Sequence, residues 1–368
     1  MARTRKAIER NRELPFAIKW LRENFGNNVV YDNGFMPRPP HVLPYLANDI
    51  MMAIAGAYDE QRIRKETARK GCLAAEIKAA YSRGHEFASV KLRMMYLPTV
   101  VHLGGKEIAW DSHEGLSIQT YMHVFGIACG LIGISGVAGG GDGAMAMAQK
   151  GHLEGIELVK GTMCRRLFPK AGVAGVLLAI REEAPNNYVT EEWLVRPTRS
   201  LEIRKTRLFS CGIPVLAQFF PGGDATFDEF DFWKTGTKQV LVEQLDSPFN
   251  QFQPDGFFVD PPREDREKPE CWESFLTAYG QRMIKGSPER RTRKRQEHQQ
   301  LLARHCVVGA GDTDAALRAV KRAFALMDKQ ATQIYGAPFV QTWELLNDGE
   351  KFWKTVSKLI DRYPFTPA

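Results

Sequence analysis

From about residue 97 onward, short apolar segments alternate with helix-like segments, and two of the apolar segments run directly into clusters of glycine. Residues 131–137 precede the sequence GGGDG at 139–143, and residues 215–220 precede PGGDATFDE at 221–229. Alternating strand and helix patterns are typical of a parallel sheet whose strands are connected by crossover helices. We therefore predict an α/β protein with a Rossmann-like, doubly wound parallel sheet.

The same patterns predict the individual elements and the domain organisation. Strands are predicted over residues 99–103, 132–137, 174–180, 215–220, 256–259 and 305–308, and helices over residues 116–130, 144–151, 204–210, 226–243, 271–284 and 312–327. Residues 1–95 lack strand patterns and are predicted to be a helical N-terminal extension. The Rossmann-like domain is predicted over 96–330, followed by an aromatic-rich helical tail over 331–368.

Composition restricts the class of protein. The hydrophobic content of 44% is enough for a sizeable core. No apolar run reaches the ~18–20 residues that span a bilayer, and no secretory signal is recognisable. The six cysteines are dispersed without a CxxC pair, which favours a reducing compartment. We expect a cytoplasmic protein, with an organellar matrix as the second choice, that has no membrane contact, no cofactor and no metal site.

Histidine and charge patterns are less specific. Only His102 and His113 are placed where they could lie near a ligand, and a structural or exposed role is favoured for both. The net charge is +7, and the run RRTRKR at 290–295 supplies five positive charges. Such a run could contact nucleic acid. A solvated surface helix is favoured instead, because no aromatic residues interleave with the run to stack on bases.

The two glycine clusters carry the clearest chemical signal. A glycine-rich turn between a strand and a helix lets backbone N–H groups approach an anion, and the helix N-terminus adds partial positive charge. The carboxyl ends of parallel strands lie at one edge of the sheet, so both turns are expected to face one site. Arg204 and Lys205 precede the second turn, and Glu229 closes it. This combination predicts a phosphate-bearing ligand held beside a carboxylate.

Three motifs together resemble those of the LOG (lonely guy) family, which was long mislabelled as lysine decarboxylases. They are GGGDGAM at 139–145, the pair Arg204-Lys205, and PGGDATFDE at 221–229. The resemblance implies a phosphoribohydrolase that cleaves the N-glycosidic bond of a nucleoside 5′-monophosphate and releases the base and ribose 5-phosphate. A homodimer or a higher homo-oligomer is expected.

Two further segments are similar to larger members of the family. EAPNNYV at 183–189 resembles a segment that those members carry between the glycine loops, and VVHLGGK at 100–106 resembles the opening strand of bacterial nucleotide 5′-monophosphate nucleosidases. The resemblance covers roughly residues 97–325, and the flanking segments match no pattern.

The resemblance also assigns roles within the site. Glu229 and Arg204 are expected to be catalytic, because a carboxylate near the ribose can stabilise an oxocarbenium-like state or activate water. The alternative for Glu229 is a first-turn acid that complements the helix dipole, and for Arg204 a surface ion pair with Glu202. The residues expected to bind the substrate and its phosphate are Gly139, Gly140, Gly141, Gly143, Lys205, Pro221, Gly222, Gly223 and Thr226.

Two residues leave other functions open. The second glycine motif of the family has a further glycine where this chain has Ala225. If that position needs a positive φ, alanine is strained by ~1 kcal/mol or more. Asp142 would repel an anion unless its carboxylate points away from it. The alternatives are therefore a catalytically weakened nucleotide-binding protein, or an interaction protein whose extensions dock it into an assembly.

Overall fold

The computed structural model describes residue 94 and residues 97–178, 184–189, 193–195, 201–236, 253–262, 271–283 and 287–367. Apart from Met94, the predicted N-terminal extension lies outside the described residues. So do residues 179–180 of one predicted strand and residues 237–243 of one predicted helix.

The described residues form one seven-stranded sheet in which every strand pairing is parallel. The strands are β1 Pro98–Leu103, β2 Ser135–Ala138, β3 Val173–Val176, β4 Leu194–Val195, β5 Ile213–Phe219, β6 Asp255–Asp260 and β7 His305–Val307. Their spatial order is β4-β3-β2-β1-β5-β6-β7. The predicted Rossmann-like, doubly wound α/β class is confirmed. The short strand β4 was not predicted, because two residues are too few for a recognisable pattern.

Helices flank the sheet on both sides. They are α1 His113–Ile132, α2 Ala144–Lys160, α3 Leu201–Leu208, α4 Asp224–Asp231, α5 Trp272–Met283, α6 Pro288–Leu302, α7 Thr313–Tyr335, α8 Phe339–Leu346 and α9 Phe352–Arg362. A π-helical turn, Phe232–Gly236, continues α4.

Several helix boundaries differ from the prediction: α2 and α7 end at Lys160 and Tyr335, nine and eight residues later than predicted, and α3 begins at Leu201, three residues earlier. α1 extends to Ile132, where a strand was expected, because Gly133 closes the helix in the left-handed conformation (φ 90°) and its N–H bonds to the Cys129 carbonyl. α4 begins at Asp224, two residues earlier than predicted.

Alternate residues of each strand pack on opposite faces of the sheet. Val100, Leu216 and Phe257 contribute to a core shared with α1, α2 and α7, whereas Val101 and Phe258 contribute to a second core shared with α3, α4 and α5. By length and composition alone α1 could cross a membrane, but 89% of its apolar window is buried inside the protein. It is therefore the central helix of the first core.

The strand order creates a crevice at one position in the sheet. The chain builds outward from β1 to β4 and then returns to place β5 on the other side of β1. Ligands of open parallel sheets bind outside the carboxyl ends of the strands at such a reversal. The turns that follow β1, β2 and β5 all leave from this edge.

Candidate functional site

Three glycine-containing turns meet at the carboxyl ends of β1, β2 and β5. The N–H of Gly105 donates to the Pro221 carbonyl at 2.9 Å, and the N–H of Ala144 donates to the Gly105 carbonyl at 2.9 Å. A Cβ atom on Gly105 would lie 2.9 Å from the Cα of Gly222, and one on Gly143 would lie 2.5 Å from the Gly105 carbonyl oxygen. The turn after β1 therefore holds the two glycine loops together.

Two helix N-termini open into this crevice. The N-cap residues of α2 and α4 are Gly143 (φ 70°) and Gly223, which have no side chain to bond the free N–H groups of the first turn. Thr226 is buried in the first turn of α4, and its hydroxyl lies over Gly222, where a Cβ atom would be 2.2 Å away. The N–H groups of Ala144 and Thr226 already donate to the Gly105 and Gly223 carbonyls, and the other first-turn N–H groups, with the Thr226 hydroxyl, form an arrangement suited to an anion.

Glu229 is a buried carboxylate in the second turn of α4. Because α4 starts at Asp224, that residue is the acid of the first turn, and the helix-dipole alternative does not account for Glu229. Burial raises the pKa of Glu229 above its ordinary value, while the positive charges of Arg204 and Lys205 oppose the shift. A carboxylate removed from water but close to two cations is typical of a catalytic acid or base.

Arg204 joins the first glycine loop to Glu229. Its Nη1 lies 3.7 Å from Oε1 of Glu229, and both side chains are largely buried. Its Nε donates to the carbonyl of Val176, the last residue of β3, at 3.0 Å. A Cβ atom on Gly139 would lie 2.2 Å from Nη2 of Arg204, so the guanidinium packs directly against this glycine. The planar group thus faces both the loop and the carboxylate.

Lys205 is bonded to a neighbouring acid. Its ammonium donates to Oδ2 of Asp228, whose side chain is 58% exposed, and it also lies 5.8 Å from the ring centroid of Phe232. Lys205 therefore contributes positive charge beside Glu229, while its own hydrogen bond goes to Asp228.

The structure bears directly on Ala225 and Asp142. Ala225 is an exposed residue in the first turn of α4, and among the described non-glycine residues only Asp348 has a positive φ. The condition under which alanine would be strained is absent. The Asp142 carboxylate accepts hydrogen bonds at Oδ1, from the N–H of Gly143 at 2.8 Å and from Nε1 of Trp110, in the segment between β1 and α1, at 3.2 Å.

Sequence reasoning missed Asn186, which fixes the shape of the first glycine loop. Its backbone N–H and its side-chain Nδ2 donate to the Gly140 carbonyl at 2.9 and 3.1 Å, and Nδ2 also lies 2.8 Å from the Gly141 carbonyl. The same Nδ2 bonds to Oε1 of Gln149 on α2 at 2.6 Å. These bonds hold two successive carbonyls of the loop in place. The sequence signal was only the similarity of 183–189 to a family segment.

A buried polar chain lies beneath the crevice. Nε2 of His102 lies 2.9 Å from Nδ1 of His152, and Nδ1 of His102 lies 2.9 Å from the Gln218 amide. That amide contacts the Tyr121 hydroxyl at 2.6 Å, and Nε2 of His152 contacts the Ile134 carbonyl at 2.9 Å. The structural role favoured for His102 agrees with this position, while His113 is exposed at the start of α1.

The hydrogen-bond donors and acceptors define the protonation state of this row of polar side chains. Burial lowers the pKa of His102 well below its ordinary value and that of His152 to about 4, so both rings are neutral near neutral pH. His152 must donate from Nε2 to the Ile134 carbonyl, so its Nδ1 accepts from Nε2–H of His102. His102 then accepts at Nδ1, so the Gln218 amide, whose Oε1 is placed 2.9 Å from this nitrogen, must be rotated to present its Nε2 to His102 and its Oε1 to the Tyr121 hydroxyl. Every group is satisfied only in this arrangement.

No family model matches the chain, and no curated protein sequence matches it either. Within the described residues, no group of three or more His, Cys, Asp or Glu side chains is arranged to hold a metal ion. The functional assignment therefore depends on the geometry of the site and on the motif resemblance.

Proposed function

We propose that the chain is a nucleoside 5′-monophosphate phosphoribohydrolase, which hydrolyses the N-glycosidic bond to release the base and ribose 5-phosphate. The observation that carries the proposal is the position of Glu229, a buried carboxylate 3.7 Å from Arg204 at the edge where two glycine-capped helices begin. The proposal also draws on the resemblance of the three motifs to the LOG family.

The residues divide the reaction between binding and chemistry. The N-termini of α2 and α4, with the Thr226 hydroxyl, bind the 5′-phosphate and place the ribose towards Glu229. Water adds at C1′ as the bond to the base breaks, and the base leaves with a proton. The Glu229 carboxylate stabilises the positive charge that develops on the sugar or accepts a proton from the water. Arg204 opposes the effect of burial on the Glu229 pKa and so favours its ionised form.

The test is release of ribose 5-phosphate from a panel of purine and pyrimidine nucleoside monophosphates. Glu229→Gln should abolish turnover while the affinity for the nucleotide stays within a few-fold, because the carboxylate acts on the transition state more than on the ground state. Asp228→Asn is the matched control. This neighbouring acid is 58% exposed and paired with Lys205, so turnover should persist.

Equal turnover in wild type and Glu229→Gln would remove Glu229 from the mechanism. Binding of nucleotides without any turnover in the wild type would support the nucleotide-binding alternative. Because the crevice is expected to recognise phosphate, AMP should bind much more tightly than adenosine, and equal affinities in calorimetry would count against a phosphate site.

A further inference from the structure

Two partly exposed aromatic rings lie beside the first glycine loop, where Trp110 also packs against the edge of the first core. Trp110 lies in the segment between β1 and α1, Tyr188 lies in the segment 184–189, and both are partly exposed. Their ring centroids are 6.0 Å apart and the planes are inclined by 46°. This separation falls within the ~4.5–7 Å of interacting aromatic pairs, so each ring restricts the other.

Hydrogen bonds attach the Trp110 ring and the Tyr188 backbone to the loop that begins α2 and to Asn186 beside it. Nε1 of Trp110 donates to Oδ1 of Asp142 at 3.2 Å, and the same oxygen accepts from Gly143, the N-cap of α2. The backbone N–H of Tyr188 donates to Oδ1 of Asn186 at 3.0 Å. Asn186 in turn donates to the carbonyls of the loop. A single oxygen atom therefore separates the indole from the helix N-terminus.

From this arrangement we infer that Trp110 and Tyr188 form an aromatic platform on which the base of a nucleotide stacks. The inference rests on the proposed function, since it takes the N-terminus of α2 as part of the phosphate site. Other large aromatic side chains of the described sheet region, such as Phe230 and Trp272, are buried in the core. Trp110 and Tyr188 instead keep accessible surface next to polar groups of the loop.

The platform explains how the site could prefer a nucleotide to its sugar phosphate. Stacking on an aromatic ring is available to every base, because each has a π-face. Trp110 and Tyr188 would therefore add affinity for the base without selecting strongly among bases. The phosphate contacts at the glycine loops would be unchanged when the base is missing.

The experiment compares AMP with ribose 5-phosphate by calorimetry in a Glu229→Gln background, where the nucleotide is expected to stay intact. Trp110→Leu and Tyr188→Leu should each weaken AMP binding by about tenfold or more, while the affinity for ribose 5-phosphate changes by less than about twofold. Trp110→Phe keeps a ring but loses the bond to Asp142, and it should retain most of the AMP affinity. Tyr363→Leu is the matched control, since Tyr363 is a partly exposed tyrosine at the end of α9.

Unchanged AMP affinity in both leucine variants would overturn the platform while leaving the proposed function intact. An equal loss for AMP and ribose 5-phosphate would also overturn it, because the rings would then act through the phosphate loop. If neither ligand binds the Glu229→Gln protein or the wild type, the phosphate site is absent. The proposed function and the platform then fail together.

Discussion

Acidification should destabilise this protein through the buried pair His102 and His152. Burial lowers the pKa of His152 to about 4, whereas a histidine in an unfolded chain has a pKa of about 6.5. Between these values the unfolded chain binds a proton that the native protein does not bind. Stability from His152 is therefore fully present above about pH 6.5 and is lost as the pH falls towards 4.

The magnitude follows from the size of the shift. Each pKa unit corresponds to about 1.4 kcal/mol, so the full difference for His152 is about 3.5 kcal/mol. Lowering the pH from about 7.5 to about 5 should remove about 2 kcal/mol of the free energy of unfolding. The shift of His102 acts in the same direction. Burial raises the pKa of Glu229, which acts in the opposite direction, so a variant is needed to isolate the histidine.

Urea unfolding at both pH values measures the effect in the wild type and in His152→Gln. The glutamine amide retains a donor for the Ile134 carbonyl but does not titrate, so the variant should lose about 2 kcal/mol less than the wild type over the same pH interval. Equal pH dependence of the free energy of unfolding in His152→Gln and the wild type would refute the conclusion that His152 is buried in its neutral form.

Three further substitutions test the site. Ala225→Gly should lower the free energy of unfolding by up to ~1 kcal/mol without raising kcat/KM, because Ala225 is helical and exposed. A gain in kcat/KM would contradict the conclusion that this alanine is unstrained. Gly139→Ala should displace the Arg204 guanidinium and reduce turnover. Gly161→Ala is the control, because its added methyl group meets only an ordinary contact at 3.7 Å. If both variants were as active as the wild type, the position of Arg204 would not matter for catalysis. Arg204→Gln should move the acid limb of the pH profile of kcat/KM to higher pH, because Arg204 lowers the pKa of Glu229. If the acid limb does not move, ionisation of Glu229 does not control it.

The sheet could be predicted from the sequence because its strands are fully buried and separated by long helices. β1, β2, β3, β5 and β6 are buried along their whole length, so each appears as a largely apolar segment. The strand order could not be read in the same way. Whether β5 lies beside β1 or beside β4 depends on contacts between segments far apart in the chain, which leave no local pattern.

Only part of the site was accessible to the same reasoning. Glu229 and Arg204 were predicted from motifs, and the structure brings them within 3.7 Å of each other. Asn186 and His152 were not predicted, because their importance comes from hydrogen bonds to residues 46 and 50 positions away. A lone asparagine in a loop, or a lone histidine in a helix, has no sequence context that distinguishes these partners.

Glycine occurs in this site for more than one physical reason, and Gly223 differs from the others. Gly105 and Gly222 are required by packing, since a Cβ atom on either would approach backbone atoms to within 2.9 and 2.7 Å. A Cβ atom on Gly223 would meet nothing within 4 Å, and its φ of −93° is open to any residue. Neither packing nor backbone conformation explains this glycine, whereas the proposed phosphate site at the N-terminus of α4 would, because a Cβ atom there would stand in the way of the ligand.

The substitution Gly223→Ser tests this explanation. Serine at an N-cap accepts from the first free N–H groups, so the variant should unfold with a free energy equal to that of the wild type or a few tenths of a kcal/mol higher. The same hydroxyl would occupy donors that the phosphate needs, so affinity for ribose 5-phosphate should fall. Gly161→Ser, at the other end of α2, is the control and should leave the affinity unchanged. Stability and affinity that fall together would indicate a structural glycine, whereas retained stability with lost affinity requires the anion to bind at the helix N-terminus.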